Sequence, residues 1–303
     1  MYCYQAYGQT IGASFPIPEF VECGVHNELD ITIYEGDTPE RLEDPLGEGV
    51  LYQARSNQFL LKLDHIAHFL VQNGNEIVVR RTPGSLDSDV RLFLLGSCLG
   101  ALLHQQGMLT LHASAMQVGN EAVLFAGQSD SGKSTLLGAF LRRGYKMLAD
   151  DITGIMTDGN GRVIAQPALP RIQLWADAVK ALKYKPEELS QVRPDLQKFQ
   201  LDTRDHFVSS ALPVSRIYTI FQNNKDDFSL EPMPKIARFR TVLYSTYHQQ
   251  FLDGLDMRAP HFSLTHATAN QAEVIRVVRP KAPYRLKKLA DLIEADFRQG
   301  DRA

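Results

Sequence analysis

Nine consecutive residues in the middle of the chain, Gly127-Gln128-Ser129-Asp130-Ser131-Gly132-Lys133-Ser134-Thr135, satisfy the pattern G-x-x-x-x-G-K-[ST]. The two glycines allow the tight backbone turns that let successive amide N–H groups face phosphate oxygens. In such a loop Lys133 reaches the β- and γ-phosphates, and Ser134 offers its hydroxyl to Mg²⁺. A helix starting at Ser134 adds the positive end of its dipole. A Gly/Ser-rich turn before an ordinary helix would have the same composition, so the flanks decide. The apolar run Ala122–Ala126 precedes the loop, and Leu136, Leu137, Phe140 and Leu141 follow it at helical spacing.

A second chemical feature lies 23 residues beyond Gly127, where Lys146-Met147-Leu148-Ala149 runs into Asp150-Asp151. An acid at the end of a strand beside a phosphate loop holds the metal directly or through water. A second carboxylate next to it can take the proton of an attacking hydroxyl. Ionising both is costly, so Lys133 and the metal must supply compensating charge. The competing reading is a surface turn. Upstream, His112 sits in Leu109–Met116, on a strand leading to the loop; taken alone, it fits a hydrogen-bonded core histidine as well as a catalytic one.

The elements that must position these groups follow from periodicity. Residues 1–85 form a small β-rich region, with strand-like runs at Leu29–Tyr34, Val50–Ala54, Phe59–Leu63 and Glu76–Arg81 and a short helix predicted at Ile66–Gln72. A helix from Ser85 or Ser88 runs through Leu92, Leu95, Leu99 and Leu103 to a stop at Gly107. Leu109–Met116 and Ala122–Ala126 read as a hairpin, Ser134–Arg143 as a helix closed by Gly144, and Leu174–Leu182 as a further helix. Strands at Arg216–Phe221, Phe228–Glu231 and Val274–Val278 and helices at Lys235–Tyr247 and Tyr284–Phe297 complete an α/β domain over residues 86–303.

Composition narrows the partners. Among 303 residues, 32 Lys+Arg face 35 Asp+Glu, a net charge of −3, which excludes the basic excess of a nucleic-acid or polybasic membrane binder. Cys3, Cys23 and Cys98 are far apart in sequence and show no metal-ligand spacing, as expected of a reducing cytoplasm. The first residues lack a signal-peptide pattern, and the most apolar stretch, Leu92–Leu103, is too short to span a membrane.

Leu111-His112, the phosphate loop and Arg143-Gly144-Tyr145-Lys146-Met147-Leu148-Ala149-Asp150-Asp151 together resemble the catalytic domain of the HPr kinase/phosphorylase family. The steps also match, 15 residues from His112 to Gly127 and 23 from Gly127 to Asp150. The resemblance implies a P-loop serine kinase using ATP and Mg²⁺, with a fold akin to phosphoenolpyruvate carboxykinase. It implies Asp151 as general base, Asp150 and Ser134 at the metal, and His112 beside the acids. Two departures point away from HPr as substrate and from the reverse reaction. Ile152-Thr153-Gly154-Ile155 follows the acid pair in place of a Val-Glu-Ile-like segment, and Leu169 stands where a Glu precedes the family's Arg, here Arg171. Arg171 is a candidate clamp for a phosphate or the substrate, against a surface ion pair.

The whole chain is similar to the HPr-kinase-related proteins of lasso-peptide biosynthesis clusters, through Tyr4-Gln5-Ala6-Tyr7-Gly8, Phe15-Pro16-Ile17-Pro18-Glu19-Phe20, Leu95-Gly96-Ser97 and Leu103-His104-Gln105-Gln106-Gly107. That similarity implies a precursor peptide, phosphorylated at a C-terminal serine, as partner. A small protein is the wider alternative, and homo-oligomerisation is compatible. A true HPr kinase/phosphorylase and a nucleotide-sensing module without transfer activity are the rival readings. Lys198 and Arg204 are candidate contacts for the nucleotide or an acidic peptide end, against a solvated loop. Trp175 and the Tyr244/Tyr247 pair are expected to pack rather than to stack on a base.

Overall fold

A computed structural model of the chain describes residues 1–300 apart from 25, 27, 194, 226 and 283. The front region contributes β1 (Tyr2–Ala6), β2 (Gln9–Ala13), β3 (Val21–Glu22), β4 (Ile31–Glu35), β5 (Gly47–Glu48), β6 (Tyr52–Arg55), β7 (Gln58–Leu63), β8 (Ala67–Gln72) and β9 (Glu76–Arg81). They form one sheet in the order β3-β1-β2-β4-β9-β8-β7-β6-β5. The expected helix at Ile66–Gln72 is therefore strand β8. Every residue from Ala67 to Gln72 pairs with β7 on one side and β9 on the other, which satisfies the backbone better than one isolated helical turn could.

The following helix is in three pieces: α1 (Asp87–Phe93), a π-helical turn (Leu94–Cys98) and α2 (Leu99–Gln105). The π turn presents Gly96, and the start of α2 presents Gly100, to Tyr247, whose ring lies 3.0 Å from where a Cβ on Gly100 would stand. Next come β10 (Leu109–Leu111), β11 (Ala113–Val118), β12 (Glu121–Gly127), α3 (Lys133–Leu141), β13 (Lys146–Ala149), β14 (Thr153–Thr157) and β15 (Val163–Ala165). The expected strand 109–116 is split at His112: β10 pairs with β14, whereas β11 forms the hairpin with β12.

Beyond residue 170 the chain forms β16 (Arg171–Trp175), α4 (Ala176–Ala181), β17 (Ser190–Gln191), β18 (Lys198–Asp202), β19 (Leu212–Asn223), β20 (Ser229–Pro232), α5 (Lys235–Tyr244), α6 (Phe251–Gly254), α7 (Arg258–Gln271), β21 (Glu273–Pro280) and α8 (Leu286–Gly300). The predicted helix 174–182 thus starts only at Ala176, because Leu174 and Trp175 are held in register with Phe199 and Lys198. At the centre of the second sheet, β12, β19 and β21 run parallel; on one side β11 is antiparallel to β12, and β13, antiparallel to β11, restores the central direction.

From Ala122 to Ala126 strand β12 is apolar because both its faces are covered. Val123 and Phe125 face a cluster with α3, α4 and α8, while Ala122, Leu124 and Ala126 join a second cluster on the opposite face. That second cluster runs without a break from Leu124 and Val274 through Leu99 and Leu102 to Phe69, Ile33 and Tyr4 of the front sheet. Cys3 and Cys23, distant in sequence, face each other across β1 and β3 with Sγ atoms 2.9 Å apart and form a cluster with His26. Because front and rear share one core, Phe69→Ala is expected to cost about 3–5 kcal/mol. It should also lower the unfolding midpoint of the rear region. Circular dichroism and the fluorescence of Trp175, the sole tryptophan, should then report one common transition.

Candidate active site

The phosphate loop joins β12 to α3, and its geometry depends on both glycines. Gly127 (φ +145°) would place a Cβ 2.8 Å from the Ile220 carbonyl, and Gly132 (φ +95°) would place one 2.8 Å from the Tyr284 hydroxyl. The loop carbonyls are held by donors. Lys133 Nζ donates to those of Gly127 and Gln128 at 3.0 Å each, and Gln222 Nε2 donates to that of Asp130 at 2.8 Å. Arg279 donates to the Ser131 carbonyl at 2.9 and 3.1 Å while stacking on Tyr284. Among the described residues, the amides of Ser129, Asp130, Gly132, Lys133 and Ser134 donate to no protein acceptor. A run of uncommitted N–H groups at a helix start is a binding site for an anion such as phosphate. Burial lowers the Lys133 pKa from the usual lysine value, and a phosphate there would favour its charged form.

The acid pair splits into two different environments. Asp150 is deep: its Oδ1 accepts from Ser114 Oγ (2.6 Å) and Ser134 Oγ (2.9 Å), and its Oδ2 accepts from the Gln173 amide (3.3 Å). Burial raises its pKa above the ordinary carboxylate value despite these bonds, with the Asp151 charge adding to the effect. Asp151 sits at φ +70°, and the Ile152 amide donates across it to the Asp150 carbonyl (2.9 Å), a strained three-residue turn that sends the two side chains apart. Its Oδ1 lies 3.2 Å from His112 Nδ1, which also approaches the Asp151 carbonyl (3.1 Å). Burial opposes its charge, but His112, Lys198 and Arg171 outweigh that and bring its pKa down to about 2.

Lys133, Ser134, Asp151, His112, Trp175 and Lys198 all line one cleft of about 820 Å³ beside the loop. Trp175, expected to pack, is 45% exposed on the wall of this cleft, and its partner strand brings Lys198 over its ring. Of the two tyrosines expected to pack, Tyr247 does so, whereas Tyr244 is 71% exposed. Arg171 does not form a surface ion pair. It donates to Gln200 Oε1 (2.9 Å) and, with Tyr7, Leu95 and Gln173, surrounds the acid pair. Arg204 is committed to Asp202 and the Pro18 carbonyl, and lines a second cavity of about 520 Å³ that shares Gln173 with the cleft. Tyr7, Ser114, Gln222, Arg279 and Tyr284 are support residues that no local motif announces. Tyr7 figures in the sequence reading only within the Tyr4–Gly8 stretch of the family resemblance; its hydroxyl donates to the Ile152 carbonyl (3.2 Å). No described helix is long and apolar enough to cross a membrane.

No family model and no curated protein matches the chain. Among solved structures, the Hpr(Ser) kinase/phosphatase from Coxiella burnetii is similar at 18% identity and a TM-score of 0.34, over 63% of this chain and 90% of that one.

Two outcomes follow from the acid pair. Ser114→Ala removes a donor to the half-buried Asp150 carboxylate and is expected to cost about 1–3 kcal/mol in chemical denaturation. His112→Phe removes the strongest influence that lowers the Asp151 pKa, so that pKa rises toward the value burial favours. A function that needs charged Asp151 should then fade first on the acid side, below about pH 5. The unmutated chain, with Asp151 near 2, should show no such limb from this group. The linked stability contribution is complete above the ordinary value of 3.8 and is lost only as pH falls through about 2.

Proposed function

We propose that the chain is an ATP-dependent kinase that phosphorylates a serine hydroxyl on a peptide or small protein. The specific acceptor in this reading is the C-terminal serine of a lasso precursor peptide, and the setting is the cytoplasm. The observation that carries the kinase reading is the sharing of one cleft by a loop of uncommitted amides and an ionised carboxylate held by a histidine. A nucleotide sensor needs the first but not the second.

The chemistry runs in line. The serine oxygen forms a bond to the γ-phosphorus, the bond from that phosphorus to the ADP oxygen breaks, and the serine proton passes to an Asp151 carboxylate oxygen. A carboxylate with a pKa about 2 is a weak base. It takes the proton late, which suits a loose transition state where positioning and charge matter most. His112 keeps Asp151 ionised and oriented; the loop amides and Lys133 hold the phosphates. Ser134 and Asp150 offer hard oxygen donors whose Oγ and Oδ1 lie 2.9 Å apart, a donor set that fits Mg²⁺. When bound, the ion supplies neutralisation of phosphate charge. The 520 Å³ cavity shares Arg171 and Gln173 with the small recess that holds the acid pair, which suits the approach of an acceptor chain from the side away from the loop.

Asp151→Asn is expected to reduce phosphate transfer by about 10²–10⁴-fold while leaving nucleotide affinity within a few-fold. Radiolabelled ATP with a serine-ended precursor peptide, and in parallel with HPr, tests both reaction and acceptor. Label on HPr alone would favour the HPr kinase reading, and label on neither acceptor, with nucleotide still bound, would favour the sensor.

A further inference from the structure

We infer that Lys198 is a second phosphate-binding cation of this cleft, with Trp175 as the residue that positions it; the inference rests on the kinase reading above. Lys133, the lysine of the loop motif, already donates to two loop carbonyls and is almost fully buried. Its ammonium is committed to shaping the loop as well as to a ligand. A transferring phosphoryl group spreads charge over several oxygens and calls for more than one cation.

Lys198 meets that need. It lies on β18, directly opposite Trp175 of β16, in an antiparallel strand pair whose five residue pairs are all in register. Its Nζ is 5.8 Å from the centre of the Trp175 ring, within the range of a cation–π contact. Among the described residues its ammonium makes no hydrogen bond and no ion pair, although it lines the same cleft as Lys133, Ser134 and Asp151. The nature of the contact matters. An aromatic face holds a lysine in place without cancelling its charge, whereas a carboxylate partner would neutralise it. An indole left 45% exposed, facing a lysine without an anion, is costly as packing and sensible as the mount for an anion-binding group. The charge of Lys198 is already felt by Asp151, across the space an acceptor hydroxyl and a terminal phosphate would share. The ligand class is the terminal phosphate of a nucleoside triphosphate, as opposed to the two phosphates of its product.

Calorimetric titration of the full chain with ADP and with a non-hydrolysable ATP analogue tests this. The unmutated protein should prefer the triphosphate. Lys198→Met should weaken triphosphate binding by about 10-fold or more while changing ADP affinity less than about 2-fold, and Lys198→Arg should restore part of the preference. Trp175→Ala should reproduce the Lys198→Met pattern, whereas Trp175→Phe, which keeps an aromatic face, should retain most of the preference. The unchanged ADP affinity serves as the folding control. Equal loss for both nucleotides, or no loss for either, in Lys198→Met would overturn the inference alone. Failure of the unmutated chain to bind either nucleotide would overturn the kinase reading and this inference with it.

Discussion

A half-buried carboxylate organises this molecule. Asp150 cannot be left alone in a low-dielectric interior, so it gathers donors from three separate elements: Ser114 on β11, Ser134 on α3 and the backbone of Gln173 on β16. Those bonds draw the start of the phosphate-loop helix, the strand behind it and the small three-stranded outer sheet to one point. The strained turn at Asp151 follows from the same constraint. With Asp150 pointing inward, its neighbour must leave in another direction, and the positive φ sends it toward His112. One acid is thereby held among hydroxyl donors and the other beside an imidazole.

The parts of the site that a reader of the sequence could find are those encoded within a few residues. The phosphate loop, strand β13 and the acid pair at its end fall where local pattern and spacing place them, since each is a short stretch bounded by its own turn signals. What stayed hidden depends on partners far away in the chain. Ser114 differs in no local way from any small strand residue until Asp150 arrives beside it, 36 positions later. Trp175 misleads for a thermodynamic reason. A large apolar ring is ordinarily buried, and only the cross-strand register with Lys198 explains an exposed one. Strand β8 was obscured similarly, because a six-residue apolar stretch has no helical or strand identity until neighbours pair with it.

The front sheet is more than a β-rich prefix. Tyr7, at the β1–β2 turn, adopts a left-handed conformation and reaches the segment following the acid pair, and Gly154 lacks a side chain where that ring presses. Together with the continuous core through Leu99 and Phe69, this ties the floor of the cleft to residues near the start of the chain. The front sheet therefore contributes to the rigidity of the site as well as to its own stability.

The clamp on the phosphate loop bears on the order of events during synthesis. Arg279 and Tyr284 secure the carbonyls of Ser131 and Gly132 from about 150 positions further along the chain. A ribosome delivers the N-terminal part first, at roughly 5–20 residues per second. The loop thus leaves the ribosome several seconds before the groups that shape it. A growing chain carries the whole G-x-x-x-x-G-K-[ST] motif before Arg279 and Tyr284 exist, so the loop takes its final shape only after those residues have been made and have folded back onto it.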